Sequence, residues 1–130
     1  MDEKDAEIIE ILRSNSRTKN THIARQIGLT EGAVRARITN LSKSGAIKKF
    51  TVETGSVGVE GIILTESEAG KSKDVVAKLK ELSDKVFEMS GEFDAAVLVK
   101  AADVDHLNSI VDKIREIDGI VATSTLIRLA

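Results

Sequence analysis

The stretch that decides the fold reads NTHIARQIGLTEGAVRARIT, from Asn20 to Thr39. It divides at Gly28. Before the glycine, Ile23, Ala24 and Ile27 fall on one face of a short helix expected over Asn20 to Ile27. Gly28 stands where a left-handed helix stop belongs. After it, Thr30 has the side chain of a helix N-cap. Val34, Ile38 and Leu41 then recur at i, i+4 and i+7, one face of a further helix that Gly45 can end. Two helices joined by a tight turn with a glycine, here IGLT from Ile27 to Thr30, form the helix-turn-helix pattern. A plain helical hairpin with a solvated basic surface has the same pattern, so charge must separate the two readings.

The charge is unevenly placed. The chain carries a formal net charge of −2, yet Ser14 to Phe50 holds eight basic residues and one acid, Glu31. Residues 1–50 contain ten Lys or Arg against six Asp or Glu, while residues 51–130 contain nine against fifteen. Such a split points to two modules with different partners. The first suits a polyanion; the second repels one.

Within the first module the wheel of the glycine-following helix assigns roles. Val34, Ile38 and Leu41 share one side. Gly32, Arg35, Ala36, Thr39 and Lys43 lie opposite or beside it. Arg35 is the candidate for a bidentate contact to guanine. Gly32 and Ala36 leave room for close approach, and Thr39 suits a base or a phosphate. Glu31 can accept from cytosine, or simply be an acid in a first helical turn. Arg25, Lys43, Lys48 and Lys49 suit phosphates, which position a duplex without reading it. Arg37 lies nearer the buried side, where an internal ion pair competes with a DNA contact. Thr30 completes the set at the turn.

Upstream, MDEKDAEIIEIL starts a helix capped by Asp2 and running to about Arg13, with Ile8, Ile11 and Leu12 on one face. Downstream, AIKKFTVE alternates enough for a strand or wing. The expected first domain is therefore a winged helix-turn-helix over residues 1–52. ETGSVGVEG follows, with three glycines in nine residues. It reads as a linker over 53–60, since its glycine spacing is not that of a dinucleotide-binding turn.

Residues 61–130 contain an internal repeat. Val75, Leu79, Leu82 and Val86 align with Ile110, Ile114, Ile117 and Val121 at a constant shift. Each half is a helix followed by a strand, and GIILTES and DAAVLVKA supply a strand before each helix. The order is β-α-β-β-α-β, a ferredoxin-like split pair in an α+β chain. Asp103 is placed to cap the second helix, with Val104, Leu107, Val111 and Ile114 as its core stripe. Ala95 to Val99 is apolar on both faces. A sheet covered by helices on one face only then needs a second cover, and another copy of the same sheet is the simplest.

Composition narrows the function classes. There is no cysteine, hence no thiolate nucleophile, disulfide or Cys-based metal site. The two histidines, His22 and His106, have no spaced partners for zinc. No phosphate-binding loop or nucleophile elbow appears. The expectation is a non-enzymatic protein without metal or cofactor. The chain has no Tyr or Trp for stacking on unpaired bases, which disfavours single-strand binding. No segment has a membrane-span or signal-peptide pattern, and a cytoplasmic location is expected. A stand-alone small-molecule sensor remains the alternative to a DNA reader.

These motifs, in this order, resemble the Lrp/AsnC family of transcription regulators, also called feast/famine regulators. The resemblance rests on Asp5, Ile11–Leu12, Asn15 and Arg17, IARQIGLT, the Val34–Leu41 pattern and Gly45–Ile47. In the second module it rests on SGEFDA and GIVATSTLIRL. It implies double-stranded DNA as one partner and a small-molecule effector, usually an amino acid, as another. It implies homodimers that assemble into tetramers or octamers. It places effector contacts at the turn Gly91, Glu92, Phe93 and Asp94, and less directly at Thr123, Ser124 and Thr125. Gly91 allows free backbone amides to face a carboxylate, and Asp94 suits an α-ammonium. Alternatively SGEFD is a tight hairpin in which Asp94 bonds its own backbone. The acidic second module suits a cationic effector such as lysine, although surface acids explain its charge equally well. The sequence departs from the family pattern at Lys19, where a Ser cap is common; Thr18 and Asn20 are the alternative caps, which leaves that helix boundary open. Glu92 and Phe93 replace the commoner Asp and Tyr.

Overall fold

The computed structural model describes residues 1–55 and 57–129. Ser56, inside the expected linker, and Ala130, at the end of the expected second domain, lie outside the described residues. The chain divides into two compact units, Met1–Thr54 and Gly55–Ala130.

The first unit has three helices: α1 (Glu3–Ser14), α2 (Asn20–Ile27) and α3 (Glu31–Ser44). Asp2 opens α1 with a capping box. Its carboxylate accepts from the Asp5 amide at 2.9 Å, and the Asp5 carboxylate accepts from the Asp2 amide at 3.2 Å. Gly28 ends α2 with φ 74° and ψ 36°, a left-handed stop that a side chain would strain. The Leu29 amide closes this stop on the Ala24 carbonyl at 3.0 Å. Thr30 caps α3 by accepting from the Ala33 amide at 3.2 Å. Ile8, Leu12, Ile23, Ala24, Ile27, Val34 and Leu41 form the core, with Ile9, Ile11, Leu29, Ile38 and Ile47 packed around it.

Two local expectations are corrected. Neither Thr18 nor Asn20 caps α2; Lys19 holds that position without a side-chain cap bond. Residues 46–53 form no strand and so no wing. A strand needs hydrogen-bonding edges to pair with, and the rest of this unit is helical.

The second unit runs β1 (Val59–Ser67), α4 (Ser72–Leu82), β2 (Val86–Glu88), β3 (Ala95–Ala101), α5 (Val104–Arg115) and β4 (Ile120–Ile127). The four strands make an antiparallel sheet in the order β2-β3-β1-β4, the ferredoxin-like arrangement. Strand alternation sends Ala95, Val97, Val99 and Ala101 to the helix-bearing face, where they pack with Ile63, Val75, Val76, Leu79, Leu107, Val111 and Ile114. β1 opens at Val59, within the stretch read as linker. Gly58 sits just before it at φ 79°, and a Cβ there would lie 2.3 Å from the Ala101 carbonyl oxygen.

Asp103 caps α5 through the His106 amide at 2.8 Å, as its position in the sequence suggests. Val104 is not in the core: it is half exposed, and Ile110 packs against the core instead. Nor do Val86 and Val121 match across the repeat. Val86 packs on the core, while Val121 is exposed beside an irregularity in the β1–β4 register at Glu66 and Ser67. One displaced residue reverses the face of a strand position.

Among the described residues of this unit, both helices pack on one face of the sheet and none packs on the opposite face. In register across it lie Leu98, Ile62 and Leu126, then Phe87, Ala96, Leu64 and Ser124. One end of this apolar surface is bordered by Glu60, whose carboxylate holds Arg128 at 2.7 Å and Lys100 at 3.7 Å.

Candidate functional site

The third helix presents its two sides as its sequence suggests. Val34 and Leu41 are buried, whereas Gly32, Arg35, Ala36, Thr39 and Lys43 are exposed. Arg25 is exposed on α2, and Lys48 and Lys49 are exposed beyond the Gly45 stop. Thr30 spends its hydroxyl oxygen on the cap, which fixes where α3 begins.

Two of the candidate arginines are engaged. Arg35 donates through Nη2 to both carboxylate oxygens of Glu31, one turn earlier on the exposed flank. Arg37 points the other way. Its Nη1 donates to Asp2 at 2.7 Å and to Asp5 at 3.0 Å, so of the two roles open to it the ion pair is formed. The hydrogen bond from Arg37 holds the Asp2 carboxyl below its ordinary range, and the two carboxylates raise the Arg37 guanidinium.

The structure adds one residue to this face. Asn40 is exposed on the flank of α3 away from Arg35, and a carboxamide there has the donor and acceptor for an adenine edge. The signal was its wheel position beside Ala36; a reading that followed charge passed over it.

In the second unit, Gly91–Asp94 joins β2 to β3. Gly91 has φ 144°, and a Cβ there would meet open space. Glu92 is exposed; Phe93 and Asp94 are half-buried. Asp94 does not close on its own backbone. Its carboxylate accepts from the Ser67 amide at 3.0 Å, its amide donates to the Thr65 carbonyl at 3.0 Å, and its carbonyl accepts from Met89 at 2.7 Å. The turn is thereby fastened to the end of β1. A carboxylate with one such donor retains acceptor capacity.

Thr123, Ser124 and Thr125 pair with Thr65, Leu64 and Ile63 on the other side of β1. Alternation puts Ser124 on the face opposite to Thr123 and Thr125. Thr123 Oγ1 accepts from Arg115 Nε at 3.1 Å. Within one chain, then, the turn and the last-strand residues occupy one end of the sheet but not one pocket. The clefts lie elsewhere. One of about 410 Å³ lies between α4 and α5, around Asp74, Lys78, Lys113 and Ile117. One of about 390 Å³ lies between α1 and α2, around Glu3, Glu7, Ile11 and Ile27. Neither histidine has a metal setting among the described residues: His22 is exposed, and His106 accepts from the Ala102 amide at 3.0 Å. No described helix is long and apolar enough to cross a membrane.

A helix-turn-helix unit with an exposed cationic recognition face, joined to a βαββαβ domain, defines a two-domain DNA-binding regulator. The AsnC-type helix-turn-helix domain matches residues 1–42, and the Lrp/AsnC ligand binding domain matches residues 62–130. The HTH-type transcriptional regulator LysM of Saccharolobus solfataricus is 33% identical, the match covering 99% of this chain and 94% of that relative. The regulator FL11 of Pyrococcus furiosus is also 33% identical, with 99% and 89% covered. The solved structure of E. coli AsnC superposes with a TM-score of 0.79 at 25% identity, covering 100% of this chain and 93% of that one. The chain belongs to the Lrp/AsnC family: it is a transcription regulator with a DNA-binding helix-turn-helix domain and a ligand-binding domain.

Proposed function

We propose that this regulator reads double-stranded DNA with the exposed side of α3, as a homodimer built through the open sheet face. The observation that carries the reading is the two-sidedness of α3. Val34 and Leu41 anchor it, and Gly32, Arg35, Ala36, Thr39 and Lys43 face outward, with Glu31 the one acid beside them, paired to Arg35. Small residues at Gly32 and Ala36 let the helix approach base edges. Arg35 supplies the fork that fits guanine, and Arg25, Lys43, Lys48 and Lys49 neutralise phosphates. A dimer then sets two α3 helices in successive major grooves, about 34 Å apart. The protein acts by binding, not by catalysis, in the cytoplasm.

The effector in this proposal is an amino acid, bound where dimers meet in a tetramer or octamer. Gly91–Asp94 and Thr123–Thr125 belong to that site. A site completed by a second dimer accounts for candidates that lie on either side of β1. Two proteins with the same fold are solved with L-methionine, from Neisseria meningitidis and Mycobacterium tuberculosis, which supports the ligand class. The acidity of residues 51–130 favours a cationic member such as lysine. Ligand binding shifts assembly and so DNA affinity, by a coupling of about 1–3 kcal/mol.

Gel shifts with duplex and single-stranded DNA test the first part. Selection of particular duplexes is expected, and a preference for single strands overturns it. Calorimetry against the twenty amino acids tests the second part; heat from none of them leaves a ligand-free regulator.

A further inference from the structure

We propose that Glu31 is a specificity-determining residue that works by repulsion, holding Arg35 off the phosphates and penalising sites without an amino group beside the guanine. The inference rests on the proposed base-reading role of α3.

Glu31 is the only acid in residues 14–50, and it stands at the first position of the helix that would enter the groove. Nearly everything DNA presents there is unfavourable to a carboxylate. Phosphates repel it. Guanine O6 and N7, adenine N7 and thymine O4 are acceptors, as a carboxylate is. Only the amino groups of cytosine and adenine can satisfy it.

The geometry makes this cost selective. Both carboxylate oxygens take the same nitrogen of Arg35, Nη2, and a fork to a base edge then uses the second Nη2 hydrogen with Nη1 or Nε. The pair biases the guanidinium toward the helix flank, by the small amount typical of an exposed i,i+4 pair, and a swing to the sugar-phosphate backbone must break it. Arg35 thus adds little to binding of arbitrary DNA, while Glu31 subtracts from it. At a guanine whose neighbour on the same strand is cytosine or adenine, Arg35 finds O6 and N7 and Glu31 finds the N4 or N6 amino group, whereas a guanine or thymine at that neighbour offers the carboxylate only acceptors. Discrimination then comes from a repulsive element as well as an attractive one.

The test uses the full chain with two duplexes of equal length: one selected from a random pool by the wild-type protein, and a scrambled control. Glu31→Gln keeps the shape and one acceptor for Arg35 but loses the charge. The selected-to-scrambled affinity ratio is expected to fall about tenfold, the scale of one base contact. On scrambled DNA, affinity should rise and the salt slope steepen by about 0.9, one added phosphate contact. Glu31→Asp, which retains the charge, should keep most of the discrimination. The inference is overturned if Glu31→Gln leaves ratio and slope unchanged while Arg35→Ala abolishes selection; the reading face then stands without Glu31. If the wild-type protein enriches no sequence, the base-reading role itself falls, and this inference with it.

Discussion

Arg37 on the recognition helix is bonded to Asp2, the residue that caps the first helix, at 2.7 Å from Nη1 to Oδ2. Asp2 therefore serves two helices: it accepts from the Asp5 amide to start α1 and from Arg37 to hold α3 against it. Asp5, at 3.0 Å, completes the clasp. The contact ties α3 to the start of α1, beside the apolar core that the two helices share.

The clasp makes the first unit sensitive to acid. Arg37 depresses the Asp2 carboxyl relative to an ordinary value of 3.8. A depressed carboxyl contributes stability that is fully present above its unfolded value and is lost as pH falls through its folded value. Thermal melts of the wild-type protein should drop below about pH 4, and Asp2→Asn should flatten that limb. The group is exposed, so added salt should shrink the difference. Arg37→Ala should lower the melting temperature but leave the salt slope of DNA binding intact. A slope reduced by about 0.9 would instead mark Arg37 as a phosphate contact.

Two glycines should respond oppositely to alanine. At Gly58 the new Cβ meets the Ala101 carbonyl oxygen at 2.3 Å with φ 79°, so backbone must move. Gly58→Ala should destabilise the second unit by about 1–3 kcal/mol, the scale of strained-backbone and overpacking lesions. At Gly32 a Cβ meets nothing within 4 Å in the free protein. Gly32→Ala should raise helix stability by about 0.5–1 kcal/mol. It should nevertheless weaken DNA binding if the backbone there approaches a base edge. Denaturant titrations and gel shifts on the same samples separate the two effects.

Thr65 is fully buried on the helix-bearing face, and its hydroxyl finds no hydrogen-bond partner among the described residues. An orphaned buried hydroxyl is costly, and valine has nearly the same shape. Thr65→Val is expected to stabilise the chain by about 1 kcal/mol, read from the urea midpoint at constant m-value. A loss of stability would mean that a water or ligand satisfies Thr65 in solution.

Much of this architecture was legible because its signals are local. The Gly28 stop, the Thr30 cap and the Val34–Ile38–Leu41 stripe each depend on a few neighbouring residues, and the helices formed where these signals stand. What escaped the sequence needed three dimensions. The alternation in AIKKFTVE is real, but no strand lies beside it in its own unit. Val104 has helical spacing yet falls outside the sheet that its stripe covers. Asp94 reads as a hairpin residue, and nothing local shows that its partner is Ser67 at the end of another strand. The split of the effector candidates by β1 follows from the strand order, which the repeat alone does not display. Arg37 showed only its nearness to the buried side; the identity of Asp2 as its partner required the packing of α1.

Arg35 and Lys48 should separate reading from gripping. Arg35→Ala removes a fork suited to guanine and is expected to cost about 1–3 kcal/mol of discrimination at one position. Lys48→Ala should weaken all duplexes alike and reduce the salt slope by about 0.9. Binding measured across a salt series on matched and mismatched duplexes distinguishes the patterns. Full specificity in Arg35→Ala would transfer the reading role to Thr39 or Asn40.

The bare face of the sheet gives the last test. Ile62 is 38% exposed and Leu126 is 52% exposed, in register with Leu98 between two flanking strands. A second such face would bury all of them, which at about 25 cal/mol per Å² is a substantial gain. Replacing Leu98 with Asp sets a charge at the centre of this surface while leaving the helix-bearing core untouched. Light scattering should find the wild-type protein as a dimer or larger and Leu98→Asp as a monomer. The monomeric variant should keep its helical content by circular dichroism. It should lose most affinity for a two-half-site duplex, since each head then binds alone without the second head's effective concentration. Bound half-sites of equal strength in both proteins would show that the heads never act as a pair.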